Sequence, residues 1–174
     1  MLRIARRLLP GAPLFLGDMR SFRARGSFDV VTCLFSAIGH LRSERDLRRA
    51  FTNFAGHLGP GGIANVEPWL DPRQYRANSV HLVTYRSPNL TIVRLAFSTR
   101  RGHHSVVHYH FLIAEGSRGI RHVEAVDVGL LVPRTRLLEL LREAGFRARF
   151  VPRGLTAGRG LLIEVKPGRA GRST

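Results

Sequence analysis

The apolar positions of this chain follow two different periods, and the switch between them divides the sequence. Leu2 to Leu9 places Leu2, Ala5, Leu8 and Leu9 on one helical face and is stopped by Pro10-Gly11. Pro13-Leu14-Phe15-Leu16 is a short apolar run, and so is Phe28 to Phe35, which contains β-branched Val30, Val31 and Thr32. Short runs without alternation predict strands buried on both faces. Ser43 is placed to cap a helix from Glu44 to Leu58, with Leu47, Phe51, Phe54 and Leu58 as its apolar stripe. Gly59-Pro60-Gly61-Gly62 ends that helix, and Ile63 to Glu67 reads as a third buried strand, cut off by Pro68. Strand, helix, strand with tight glycine and proline joints predicts a parallel α/β sheet.

From Val80 to Leu131 the period changes to two. Four extended stretches are separated by Ser87-Pro88-Asn89, Arg101-Gly102-His103 and Glu115-Gly116-Ser117-Arg118-Gly119, which predicts an antiparallel meander inserted into the α/β unit. Val93, Leu95 and Phe97 share one face while Arg94 points the other way; Tyr109, Phe111 and Ile113 oppose His108, His110 and Leu112. A helix from about Arg134 to Ala144, stopped by Gly145, then precedes strands at Arg147 to Val151 and Leu161 to Val165. The expected organisation is an α/β core over 1–79, the inserted sheet over 80–131, a return to the core over 132–167 and a loose tail over 168–174.

Composition narrows the class. A chain of 174 residues with 44% apolar content suits one domain with a core, and excludes disorder. The single Cys33, inside an apolar strand, excludes a disulfide scaffold and reads as a buried, inert thiol. No apolar run approaches the roughly 20 residues of a membrane helix, and Pro10-Gly11 interrupts the basic start too early for a signal sequence. The expected location is the cytoplasm, with no membrane partner. The formal charge of +16 invites a nucleic-acid reading. However, Lys166 is the only lysine and the arginines are spread along the whole chain, the mark of a compositional bias rather than a patch. No nucleic-acid partner is expected.

Ligands of open α/β sheets bind beyond the carboxyl ends of the parallel strands. Three such ends carry Gly17-Asp18-Met19, Ser36-Ala37-Ile38-Gly39-His40 and Glu67-Pro68-Trp69. Singly, Asp18 can cap a turn, His40 can enter a helix and Trp69 can cover a sheet edge. Together, an acid, a histidine loop and an aromatic converge on one crevice, the pattern of a binding site. The histidines at 103, 104, 108, 110 and 122 have no Cys or carboxylate at ligand spacing, so no metal is expected.

The motifs GDMRSF (17–22), FDVVTCLFSAIGHL (28–41), HLGPGG (57–62), VEPW (66–69) and GRGL (158–161) closely resemble one enzyme family. It is the S-adenosylmethionine-dependent N,N-dimethyltransferases of dTDP-3-amino-deoxyhexoses, of the desosamine and mycaminose type. The resemblance covers essentially the whole chain and implies a class I, Rossmann-like methyltransferase sheet, with the meander as sugar-nucleotide-binding insertion. It implies S-adenosylmethionine as cofactor, a dTDP-aminosugar as small-molecule partner and a homodimer as candidate assembly.

The chain departs from that family in one respect. Class I methyltransferases begin with a strand, a GxGxG loop, a helix and a second strand ending in an acid, and no GxGxG precedes Gly17. The sequence is therefore expected to be N-terminally truncated, to lack the first two strands of the sheet and to be nearly inactive alone. The alternatives are a non-catalytic binding module, either a partner subunit of an intact methyltransferase or a basic nucleic-acid-binding protein. By resemblance, Asp18 and the Met19 backbone hold the adenine, and His40 orients or deprotonates the amine. Arg159 meets the sugar nucleotide and Trp69 lines its crevice. A polar strand face carrying His108 and His110, together with Arg94, is expected to complete the substrate site.

Overall fold

A computed structural model describes residues 1–154 and 161–165, the last five by their backbone alone. The elements are helix α1 (Leu2–Leu8), strand β1 (Phe28–Cys33), a 3-10 turn (Ala37–His40), helix α2 (Glu44–His57) and strand β2 (Leu58–Val66). Strands β3 (Ser79–Ser87), β4 (Leu90–Arg101), β5 (His104–Glu115) and β6 (Ile120–Leu130) follow. Helix α3 (Arg134–Glu143) and strands β7 (Arg147–Val151) and β8 (Leu161–Val165) complete the order.

The first sheet has the order β1-β2-β8-β7, with β1 and β2 parallel and β8 antiparallel to both β2 and β7. Its core forms because two amphipathic helices bury their stripes together with one sheet face. Ser43 Oγ accepts the Asp46 N–H at 3.2 Å and opens α2. Leu47, Phe51 and Phe54 of α2 meet Leu137, Leu140 and Leu141 of α3 in one cluster with Cys33, Ala64 and Val66. The register puts Val31 beside Ala64 and Cys33 beside Val66, so these four share the covered face. The second sheet is the meander β3-β4-β5-β6, antiparallel throughout. A partial Rossmann-like α/β sheet with an antiparallel sheet inserted between β2 and α3 is thus the architecture. No helix among the described residues is long and apolar enough to cross a membrane.

Four expectations are corrected. Pro13 to Leu16 is not a strand: among the described residues it pairs with no strand, and Leu16 is 88% exposed. An apolar run becomes a strand only when a neighbour completes its ladder, and Pro13 has no N–H to offer one. Strand β1 is not buried on both faces, because Phe28 and Val30 are exposed. Among the described residues β1 pairs only with β2, so it is an edge and its second face lacks a cover. The Gly59–Gly62 segment does not separate α2 from a strand at Ile63; β2 already starts at Leu58, and the register shifts between Phe28 and Val30 to absorb it.

The fourth correction concerns the meander. Cross-strand pairs join Leu95 to His110, Phe97 to His108 and Val93 to Leu112, so the apolar residues of β4 and the histidines of β5 share a face. That face is the outer one over Leu95, Phe97, Leu112 and His110, which are exposed, while its end at Val106 and His108 borders a groove shared with His40, Leu41 and Arg42. Arg94 pairs with Phe111 and lies on the opposite, inner face beside Ala96 and Ser98, both buried. Arg94 and His110 therefore cannot build one polar face.

Candidate functional site

The backbone that leaves β1 is bent by two successive left-handed residues, Phe35 (φ 52°) and Ser36 (φ 57°). Each such conformation costs an L-residue about 1–2 kcal/mol, so the pair persists only where neighbours hold it. The holder is the end of β2. Buried Glu67 accepts the Phe35 N–H on Oε2 at 3.0 Å and donates its own N–H to the Cys33 carbonyl at 2.8 Å. Ser36 Oγ donates to the Pro68 carbonyl at 2.9 Å. The bend sends the 3-10 turn out of the sheet with His40 at its end, where the imidazole is 61% exposed.

Trp69 locks that turn to the meander. Its Nε1 donates to Ser105 Oγ at 2.9 Å, and Ser105 in turn donates to the Gly129 carbonyl at 3.0 Å. A Cβ at Gly39 would stand 2.8 Å from the Trp69 Cβ, and one at Gly129 only 2.6 Å from its Nε1. Only glycine leaves room for the indole at both places, so its role is that of a wedge between the two sheets. One side of the wedge borders a cavity of about 240 Å³ lined by Leu70, Asp71, Arg134 and Phe150, among others.

A second wall is a turn rather than a strand end. The Asp18 carbonyl accepts the N–H groups of Ser21 and Phe22 at 2.9 and 2.7 Å. The Asp18 carboxylate takes the Arg20 backbone N–H at 2.8 Å and its guanidinium at 2.6 Å, while Arg20 also reaches Asp46 at 2.8 Å. Hydrogen bonding by the Arg20 side chain holds the Asp18 carboxyl down at about 2. The Met19 carbonyl accepts from Asn53 Nδ2 at 3.2 Å, whereas its N–H has no hydrogen bond among the described residues. Leu16 to Arg20 face His40, Leu41 and Arg42 across a groove of about 730 Å³.

The third wall is the inner face of the meander. His40 Nδ1 lies 3.4 Å from Asp127 Oδ1, in the middle of β6. The Arg94 guanidinium sits 5.6 Å over the Tyr109 ring, with its buried Nε unpartnered among the described residues. Burial, reinforced by Asp127, pushes the Tyr109 hydroxyl up. His40 thus stands between the Asp18 groove and strand β6 near Asp127, and with Leu41 and Arg42 it also borders a groove of about 630 Å³ lined by His104, Val106, His108, Val126 and Val128 of the meander's other face. On the outer face, His110 Nδ1 and His122 Nε2 are 3.1 Å apart, with Glu124 3.5 and 3.8 Å from them, all exposed. Arg159 lies outside the described residues.

The sequence pattern announces neither the approach of Asp127 to His40 nor the anchoring role of Glu67. The one available signal is that Asp127 is the lone acid on its face of β6, among Val123, Ala125 and Gly129. An acceptor carboxylate next to a free N–H, as at Asp18 and Met19, fits the edge of an amino-substituted adenine. The 174 residues contain no GxGxG loop for the rest of a nucleoside-methionine cofactor.

No protein-family model matches the chain. It is 38% identical to a dTDP-3-amino-3,6-dideoxy-alpha-D-glucopyranose N,N-dimethyltransferase of Streptomyces fradiae, over 99% of this chain and 67% of that protein. It is 35% identical to the dTDP-3-amino-3,4,6-trideoxy-alpha-D-glucopyranose N,N-dimethyltransferase of Streptomyces venezuelae, over 95% of this chain and 69% of that protein. Among solved structures, Streptomyces venezuelae DesVI superposes with a TM-score of 0.89 at 35% identity, covering 96% of this chain and 70% of that one. CalS10 with bound S-adenosylmethionine, an amino pentose methyltransferase of Micromonospora echinaspora, gives 0.87 at 33% identity, with 95% of this chain and 69% of that one covered. The chain thus spans about two thirds of the length of the proteins it matches.

Proposed function

The chain belongs to the dTDP-aminosugar N,N-dimethyltransferases, and on that premise we propose that it methylates the amino group of a dTDP-aminodeoxysugar at the crevice between the α/β sheet and the meander. The observation that carries this reading is the position of His40, which borders the Asp18 groove and lies 3.4 Å from Asp127 of the meander. S-adenosylmethionine, the cofactor of the reaction, supplies when bound a methyl group that is already strongly electrophilic. The protein's own work is therefore to hold the amine in line and keep its lone pair free, and alignment alone contributes several kcal/mol.

Asp18 and the Met19 N–H take the adenine edge, as acceptor and donor. His40 orients the amine and accepts its proton as a neutral imidazole. Arg94 offers its guanidinium to the sugar nucleotide, and Trp69 sets the depth of the crevice by fixing the turn against the meander. Arg159 is assigned to the sugar nucleotide by its place in GRGL alone. His110, on the outer face, is not reached from the crevice and leaves the substrate set. A homodimer belongs to the same reading, supported by the apolar outer face, on which Val80, Leu82, Leu95, Phe97, Val126 and Val128 are exposed.

Titration at physiological salt with a dTDP-3-amino sugar and with duplex DNA tests the reading. Saturable sugar-nucleotide binding, weakened about tenfold by Arg94→Ala through loss of a charge-assisted hydrogen bond, is the expected result. Tight, salt-sensitive DNA binding without sugar-nucleotide binding contradicts it.

A further inference from the structure

We propose that Asp127 is the positioning residue of His40, holding the imidazole with its proton on Nδ1 and the lone pair of Nε2 directed to the substrate amine. The inference rests on the amine-methylating reading and adds to it the origin of the histidine's orientation.

The two residues come from different sheets, and nothing local in the sequence brings them together. His40 Nδ1 and Asp127 Oδ1 are 3.4 Å apart. Among the described residues His40 is the only ion-pair partner of Asp127, so no arginine competes for its carboxylate. Its neighbours on the same face, Ala125 and Gly129, carry little or no side chain and leave the approach open.

The spacing is also enforced from both sides. Trp69 packs on Gly39, the residue before His40, and on Gly129, two residues beyond Asp127. Its hydrogen bond to Ser105 ties the indole to the strand that pairs with β6. One rigid side chain therefore sets the distance between the imidazole and the carboxylate.

The chemistry follows from the inventory of donors. An ionised carboxylate only accepts hydrogen bonds, so when the 3.4 Å approach closes to a hydrogen bond the ring nitrogen that faces it carries the proton. Nδ1 faces Asp127, which leaves Nε2 as the acceptor. When the substrate ammonium gives a proton to Nε2, its nitrogen gains the lone pair that attacks the methyl group, and the ring becomes a cation. Asp127 then stabilises that cation, and contacts that are long before substrate arrives are those that tighten in the reacting complex.

Nitrogen-15 spectra of the native chain at alkaline pH, where the imidazole is neutral, read the tautomer of His40 directly. The expected native state has the proton on Nδ1. In Asp127→Ala the proton is expected to move towards Nε2, and Asp127→Glu is expected to restore Nδ1. The remaining histidine signals serve as a control for an unchanged fold, and should the alanine variant unfold, Asp127→Leu repeats the removal of the acceptor. A native proton on Nε2, or the same tautomer with and without the carboxylate, overturns the inference. The measurement needs neither cofactor nor substrate, so its failure is distinct from failure of the sugar-nucleotide titration.

Discussion

Titrated with S-adenosylmethionine, these 174 residues are expected to bind it at least a hundredfold more weakly than a chain that also carries a GxGxG loop and a ribose-binding acid. The groove beside Asp18 and Met19 offers one acceptor and one donor, which the proposed reading assigns to the adenine. The Asp18 carboxylate is already shared with Arg20, whose hydrogen bonds compete with any ligand. The sequence supplies no glycine loop for the methionine portion. Each buried hydrogen bond left unmade costs on the order of 1–3 kcal/mol, and about 1.4 kcal/mol is a factor of ten in affinity. Two or more missing bonds therefore take the dissociation constant out of the micromolar range. Calorimetry on the chain alone checks this, and micromolar binding would show that the described groove suffices.

The second large effect concerns His40. In a fusion of this chain to the strand, GxGxG loop, helix and acid-ending strand of a relative, His40→Ala is expected to lower turnover about a hundredfold, the lower range for a positioned proton acceptor. Cofactor affinity should stay within a factor of two, because the proposed reading has the imidazole serve the amine and not the adenosine. The combination separates a role in the chemical step from one in binding. Unchanged turnover at neutral pH would remove His40 from the mechanism.

Much of the fold was legible in the pattern of apolar residues, for reasons that differ between elements. Helix α2 was legible because its signals are local: Ser43 caps, and Leu47, Phe51 and Phe54 recur on one face. The meander was legible because glycine-bearing and proline-bearing turns punctuate it. Which of its faces is outward was not legible, since both faces carry apolar residues and only the packing of Trp69 on Gly129 decides which is covered. Pro13 to Leu16 misled because a strand depends on a partner that composition does not reveal.

The site divides in the same way. His40 and Asp18 stand out in the sequence through the motifs GDMR and IGH, and the structure brings both to the rim of one groove. Asp127 does not stand out, because its significance lies in a contact across 87 positions of sequence, between two sheets. Glu67 hides for a related reason: its carboxylate serves the backbone of Phe35, a contact that no spacing rule encodes.

Methyl transfer by the same fusion to a dTDP-3-amino sugar, followed by mass spectrometry, is the most direct measurement of the central claim. The expected result is a product heavier by one or two methyl groups, formed only with S-adenosylmethionine and lost with Arg94→Ala and His40→Ala together. A fusion that folds and binds S-adenosylmethionine yet leaves every dTDP-aminosugar unmethylated would contradict it.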